Sequence, residues 1–176
     1  MPELTIRFAR ADEGSRLLKI EDAADSLFAD LGKTLPWSRA ELRSPTNGFI
    51  LVAVEPSDLE VGFAHVGEVR GFAHLEQLSV LPNRGRRGIG RQLLMEIMRL
   101  AKQRGHQRIT LRTFRDVPWK GPFYKTYGFT EEAPATDFHA YSLLRNSRLD
   151  SRTWGAECRW SRRSSPRWPV SAASCS

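Results

Sequence analysis

The chain has 176 residues, 40% hydrophobic and 27% charged, which suits one soluble globular domain with a buried core. No apolar run approaches the roughly 20 residues a membrane helix needs, and Met1-Pro2-Glu3-Leu4-Thr5 lacks the basic-then-apolar order of a signal peptide. The net charge of +7 is uneven: residues 145–176 hold seven Arg against Asp150 and Glu157, leaving the first 144 residues at +2, which argues against a nucleic-acid binder. Two late cysteines, Cys158 and Cys175, make neither a disulfide framework nor a zinc site, so a reducing cytoplasm and no metal are expected.

Thr5 to Ala9 alternates and reads as a first strand. Asp12 is the expected N-cap of a helix carrying Leu17, Leu18, Ile20 and Ala24 at helical spacing. A second helix is expected to hold Leu27, Phe28 and Leu31, and Ser38 to Arg43 a further turn. After the turn cluster Ser44 to Gly48, three strands are expected at Phe49 to Val54, Leu59 to Val66 and Phe72 to Leu81. Their short turns, the second at Gly67 to Gly71, predict an antiparallel meander.

The period then changes. Ile89, Leu93, Ile97, Leu100 and Ala101 form one helical face over Gly88 to Arg104, closed by Gly105. A strand at Ile109 to Thr113 follows, then a short helix with Pro122 at its first position running to Tyr127, then a strand from Phe129. The fold class is α/β: a single domain with a mixed, mostly antiparallel central sheet flanked by helices. Beyond Leu144 the pattern fades into eight Ser, seven Arg and three Trp, with one strand expected near Gly155 to Trp160.

The informative segment runs from Leu78 to Arg91: a strand enters a loop rich in glycine and arginine, and the loop opens a long helix. The first amides of a helix lack intrahelical partners and face a positive dipole end. Glycines let the backbone approach an anion, and Arg86, Arg87 and Arg91 add positive charge, so the segment suits a pyrophosphate. A dinucleotide fingerprint from Gly88 would need glycine at Leu93, and a Walker loop from Gly85 meets Arg91 and Gln92 where Lys and Ser or Thr belong. The alternative is a basic turn with a glycine cap.

These residues resemble the GNAT superfamily of acyl-CoA N-acyltransferases, bacterial type. Glu76-Gln77-Leu78-Ser79-Val80-Leu81-Pro82 is similar to the family's E-x-L-x-V-x-P strand, and Gly85-Arg86-Arg87-Gly88-Ile89-Gly90 to its Q/R-x-x-G-x-G/A loop. Gly85 stands where the family most often has Gln or Arg, with Arg84 one residue earlier as the candidate replacement. Phe123-Tyr124-Lys125-Thr126-Tyr127-Gly128-Phe129 fits a second signature, and Phe114 to Trp119 resembles a bacterial subgroup that usually has Asn where this chain has Lys120. The resemblance covers roughly residues 4–130, implying a catalytic domain over 1–144 and a last-strand region at 145–160. The basic, Ser/Arg-rich composition of 161–176, with no apolar period, predicts a disordered tail outside it, the alternative being an arm that binds nucleic acid or membrane.

The resemblance implies acetyl-CoA as cosubstrate. The backbone around Leu78, Ser79 and Val80 would pair with its pantetheine arm, the Val80 amide would polarise the thioester carbonyl, and the amides and side chains of Arg86, Arg87, Gly88, Ile89, Gly90 and Arg91 would hold the pyrophosphate. It also places Tyr124 beside the CoA sulfur as general acid. An alkylamine has a pKa near ~10, so a base must take its proton. Glu76 and His74 are the candidates, because strand alternation would put His74, Glu76, Leu78 and Val80 on one face; the alternative is a structural pair. His65 is a weaker candidate. Glu21, Asp22, Asp25 and Asp30 read as a solvated helix face, with attraction of a cationic acceptor as the alternative; Asp116 and Trp119 either shape the acceptor pocket or form a turn. The expected function is N-acetyl transfer to a primary amine of a small molecule or peptide, with no membrane partner and a homodimer compatible with the relatives. The competing readings are a non-catalytic acyl-CoA-binding protein and, further off, a basic nucleic-acid binder.

Overall fold

A computed structural model describes residues 4–29, 47–69, 72–114, 119–132 and 157–163. The elements are β1 (Thr5–Phe8), α1 (Gly14–Ala29), β2 (Gly48–Val54), β3 (Glu60–Val69), β4 (Phe72–Val80), α2 (Ile89–Gln103), β5 (Arg108–Phe114), α3 (Lys120–Thr126), β6 (Thr130–Glu132) and β7 (Glu157–Arg163). They build one sheet in the order β1-β2-β3-β4-β5-β7-β6. Its one parallel pair is β4 with β5, joined by the α2 crossover; every other pair is antiparallel.

The alternation of β2 divides the core. Phe49, Leu51 and Ala53 face the α2 side with Leu93, Leu94, Ile97 and Met98, while Val52 and Val54 face the α1 side with Leu17, Ile20 and Phe63. Complete burial of such a Leu or Ile contributes about 1.5–3 kcal/mol, so α2 is held mainly by its apolar face. Gly62 lets the layers approach: a Cβ there would lie 2.9 Å from the Ser79 carbonyl oxygen and 3.3 Å from Ile89 Cγ2.

Several boundaries differ from the sequence reading. Leu27 and Phe28 continue α1 rather than opening a new helix, because nothing breaks the chain after Ala24; Leu31 to Arg43 lie outside the described residues. Glu13, not Asp12, caps α1: its carbonyl accepts the Leu17 amide at 3.0 Å, and its carboxylate accepts from the Arg10 amide at 2.7 Å. The expected turn at Gly67 begins later, since β3 runs to Val69. α3 starts at Lys120, so Pro122 is its third residue, still within the turn whose amides need no intrahelical acceptor. β7 extends three residues past Trp160, so the boundary drawn at Ser161 falls inside a strand.

Candidate active site

The site begins where β4 and β5 part. Their pairing covers only Phe72↔Arg108 to Leu75↔Leu111, although β4 continues to Val80 and β5 to Phe114. Glu76 is therefore the first β4 residue past the parallel ladder. It also forms a bulge: Val66 pairs with Leu75 but His65 pairs with Gln77, so β4 carries one extra residue there.

That bulge corrects the expected single face. Directly opposed residues share a face. Leu78 opposes Ala64 and Val80 opposes Gly62, and both pack with Ala73 and Leu75 on the α2 side. His74, Gln77 and Ser79 oppose Gly67, His65 and Phe63 on the α1 side. The extra residue reverses the alternation, leaving Glu76 beside His74, with Oε2 4.0 Å from Nε2. His65, the weaker candidate, stands beside Gln77 on that side.

The backbone of β4 is polarised by the same register. The Leu81 amide donates to the Val61 carbonyl on β3 at 2.9 Å. Alternation then turns the Val80 and Leu78 amides and carbonyls away from β3, towards the gap left by β5. Ser79 is placed differently from Leu78 and Val80: its backbone faces β3, and its hydroxyl accepts from Gln77 Nε2 at 2.8 Å.

At the end of the gap, a 3-10 turn at Pro82–Arg84 leads into α2. Arg86 and Gly88 adopt left-handed φ of 60° and 76°, a backbone turn that gathers amides on one side. A Cβ on Gly88 would meet nothing within 4 Å, so open space adjoins the helix N-terminus. Arg86, Arg87 and Arg91 are exposed, and none pairs with a carboxylate among the described residues. Arg84, the candidate replacement for the side chain missing at Gly85, is paired here with Glu55: its Nε donates to Oε1 at 2.8 Å and its Nη2 to Oε2 at 3.3 Å.

α3 closes the α2 side of the gap. A Cβ on Gly90 would lie 3.8 Å from Phe123 Cζ and 4.0 Å from Val80 Cγ2, so loop, strand and α3 converge there. Tyr124 is 7% exposed and packs edge-on against Phe123 and Phe129, with centroids 5.1 and 5.8 Å away. Burial pushes its phenol pKa up, which keeps it a proton donor at neutral pH.

On the α1 side, His74 is 3% exposed and its Nδ1 lies 2.8 Å from Thr110 Oγ1 on β5. Of the acidic stretch on α1, Asp22 is solvated but Asp25 is half-buried. Burial pushes the Asp25 carboxyl up to about 6, with Lys120 opposing and Asp22 adding to the rise. Burial also lowers the Lys120 pKa, opposed by Asp25, so this through-space coupling links α1 to the first turn of α3. Trp119 is 49% exposed, while Asp30 and Asp116 lie outside the described residues. Sequence reading missed Thr110 and Lys120: the register of β5 against β4 is not written in either strand, and Lys120 registered only as a departure from a pattern.

Residues 46–131 match the acetyltransferase (GNAT) domain family. The fold is similar to the PaiA N-acetyltransferase of Thermoplasma acidophilum solved with coenzyme A (TM-score 0.71, 17% identity, 92% of this chain and 99% of that one covered). It is similar to the ribosomal-protein-S18-alanine N-acetyltransferase of Escherichia coli (TM-score 0.66, 20% identity, 90% and 91%). A GNAT acetyltransferase of Brucella melitensis in complex with acetyl-CoA also matches (TM-score 0.56, 21% identity, 74% and 84%). The GNAT family match over residues 46–131, with the fold shared with these acetyltransferases, supports acyl transfer from acetyl-CoA.

Proposed function

We propose that the chain is an N-acetyltransferase that moves an acetyl group from acetyl-CoA directly to a primary amine of a small molecule or peptide. One observation carries the reading: the β4 edge from Gln77 to Val80, which no described strand pairs on the β5 side, leads through the Pro82–Arg84 turn to the N-terminus of α2. The Leu78 and Val80 backbone supplies strand-like donors and acceptors for the pantetheine amides. The α2 amides from Gly88, with Arg86, Arg87 and Arg91, suit the pyrophosphate.

The acceptor enters from the α1 side, where Glu76 and His74 stand. A base there takes one proton from the ammonium, and the freed nitrogen bonds to the acetyl carbon. As the C–S bond breaks, the nitrogen sheds a second proton, which restores the proton Tyr124 gives up. The Val80 amide steadies the negative oxygen, and Tyr124 returns a proton to the departing thiolate. No enzyme acyl intermediate is needed, which agrees with the absence of any cysteine before Cys158.

The test follows released thiol, with mass spectrometry of amine pools incubated with labelled acetyl-CoA. Tyr124→Phe should lower kcat by ~10² to 10⁴-fold with little change in acetyl-CoA affinity. Full activity of the Phe variant at every pH would remove Tyr124 from the chemistry, and no acetylated amine from any pool would favour a non-catalytic acyl-CoA binder.

A further inference from the structure

The Thr110 hydroxyl and the His74 ring form a closed polar contact inside the sheet, next to the residue where β4 leaves β5. Resting on the acetyl-transfer reading, we infer that Thr110 is a positioning residue. It fixes His74 as the neutral Nε2–H tautomer, so that His74 orients Glu76 and Glu76 alone is the base.

Proton counting carries the argument. Thr110 is 0% exposed, and among the described residues its hydroxyl has one partner, His74 Nδ1 at 2.8 Å. A buried hydroxyl proton without an acceptor is costly. The Thr110 proton therefore goes to Nδ1, which must then carry a lone pair. A neutral imidazole has one N–H, so its proton sits on Nε2. An imidazolium would put a second proton on Nδ1 and leave the threonine proton without an acceptor.

The Nε2–H group then lies on the side of Glu76, whose Oε2 is 4.0 Å away, beyond a direct hydrogen bond and within reach of a bridging water. A nitrogen bearing a proton cannot take another from an amine. Glu76 can: its side chain is 25% exposed, against 4% for His74, and the bulge sets it at the mouth of the gap. The two candidates thus separate into a base and the group that aims it, and the tautomer is set from the neighbouring strand by Thr110.

Nitrogen NMR of the full chain labelled at histidine, with His74 assigned through His74→Gln, reads the tautomer directly and needs no substrate. The wild type should show Nε2 protonated and Nδ1 bare in the neutral ring. Thr110→Val removes the donor while keeping the shape, so it should mix the tautomers and lower kcat several-fold with an unchanged KM for acetyl-CoA. Thr110→Ser should restore both readouts. A wild-type ring protonated at Nδ1 overturns the assignment, as does a Thr110→Val variant with unchanged tautomer and kcat. The tautomer is read without turnover, so failure of acetyl transfer itself shows separately, as a wild type that acetylates nothing.

Discussion

Glu13 shows how much one buried side chain can hold together. Its carboxylate is 0% exposed and takes both Arg7 nitrogens, one at 2.9 Å from Nη1, as well as the Arg10 amide; Arg16 stands 3.6 Å away and reaches on to Glu60. The Arg7 hydrogen bonds are the main reason its pKa falls from 4.5 to about 2. The folded value is below the unfolded one, so this stabilisation is complete above about pH 4.5 and is lost as pH falls towards 2. At about 1.4 kcal/mol per pKa unit it amounts to at most about 3.5 kcal/mol. Glu13→Gln should melt well below the wild type at pH 7, and the gap should close between pH 4.5 and 2. A gap of constant size across that range would show that the charge is not what matters.

At the scale of elements, hydrophobic periodicity exposed the meander, the α2 face and the loop-to-helix junction, because burial on one side imposes a period of two or of nearly four. Apolar spacing at Ile89, Leu93, Ile97 and Leu100 needs no partner to be legible. The active-site faces were not legible in the same way. Val66↔Leu75 and His65↔Gln77 place a bulge at Glu76, and no residue of Phe72 to Val80 marks it. Counting by two across that bulge puts Leu78 and Val80 with His74, on the wrong side of the sheet. The roles proposed for Leu78 and Val80 rest on the β4 backbone, not on the side-chain face, so they stay proposals that the correction leaves untouched. The Arg84–Glu55 pair was hidden for a related reason: its members are 29 residues apart and meet only through the fold.

Over the whole molecule, the basic charge lies mostly within the sheet-forming chain: of the seven Arg in 145–176, only Arg167 follows Arg163. β7 lies between β5 and β6, with Arg108↔Arg163 to Phe114↔Glu157 in register, so the chain through Arg163 completes the sheet. The segment after it, Ser164 to Ser176, has Pro166 and Pro169 and no apolar period. We propose that the catalytic domain ends near Arg163, the last residue of β7. Truncation after Arg163 should leave melting temperature and kcat/KM near those of the full chain. Truncation after Trp160 removes the partners of Arg108, Ile109 and Thr110 and should lower both. Equal losses in the two truncations would place the 164–176 segment within the working fold.

The most direct test of the site is calorimetric titration of acetyl-CoA into the wild type and into Gly88→Glu. The glycine's left-handed φ of 76° and the open space beside it are where a phosphate would meet the first α2 amides. The wild type should bind one acetyl-CoA per chain, and the Glu variant, folded by circular dichroism, should show no measurable heat of binding. Undiminished affinity in a folded Gly88→Glu variant would contradict the placement of the cosubstrate along β4 and the N-terminus of α2.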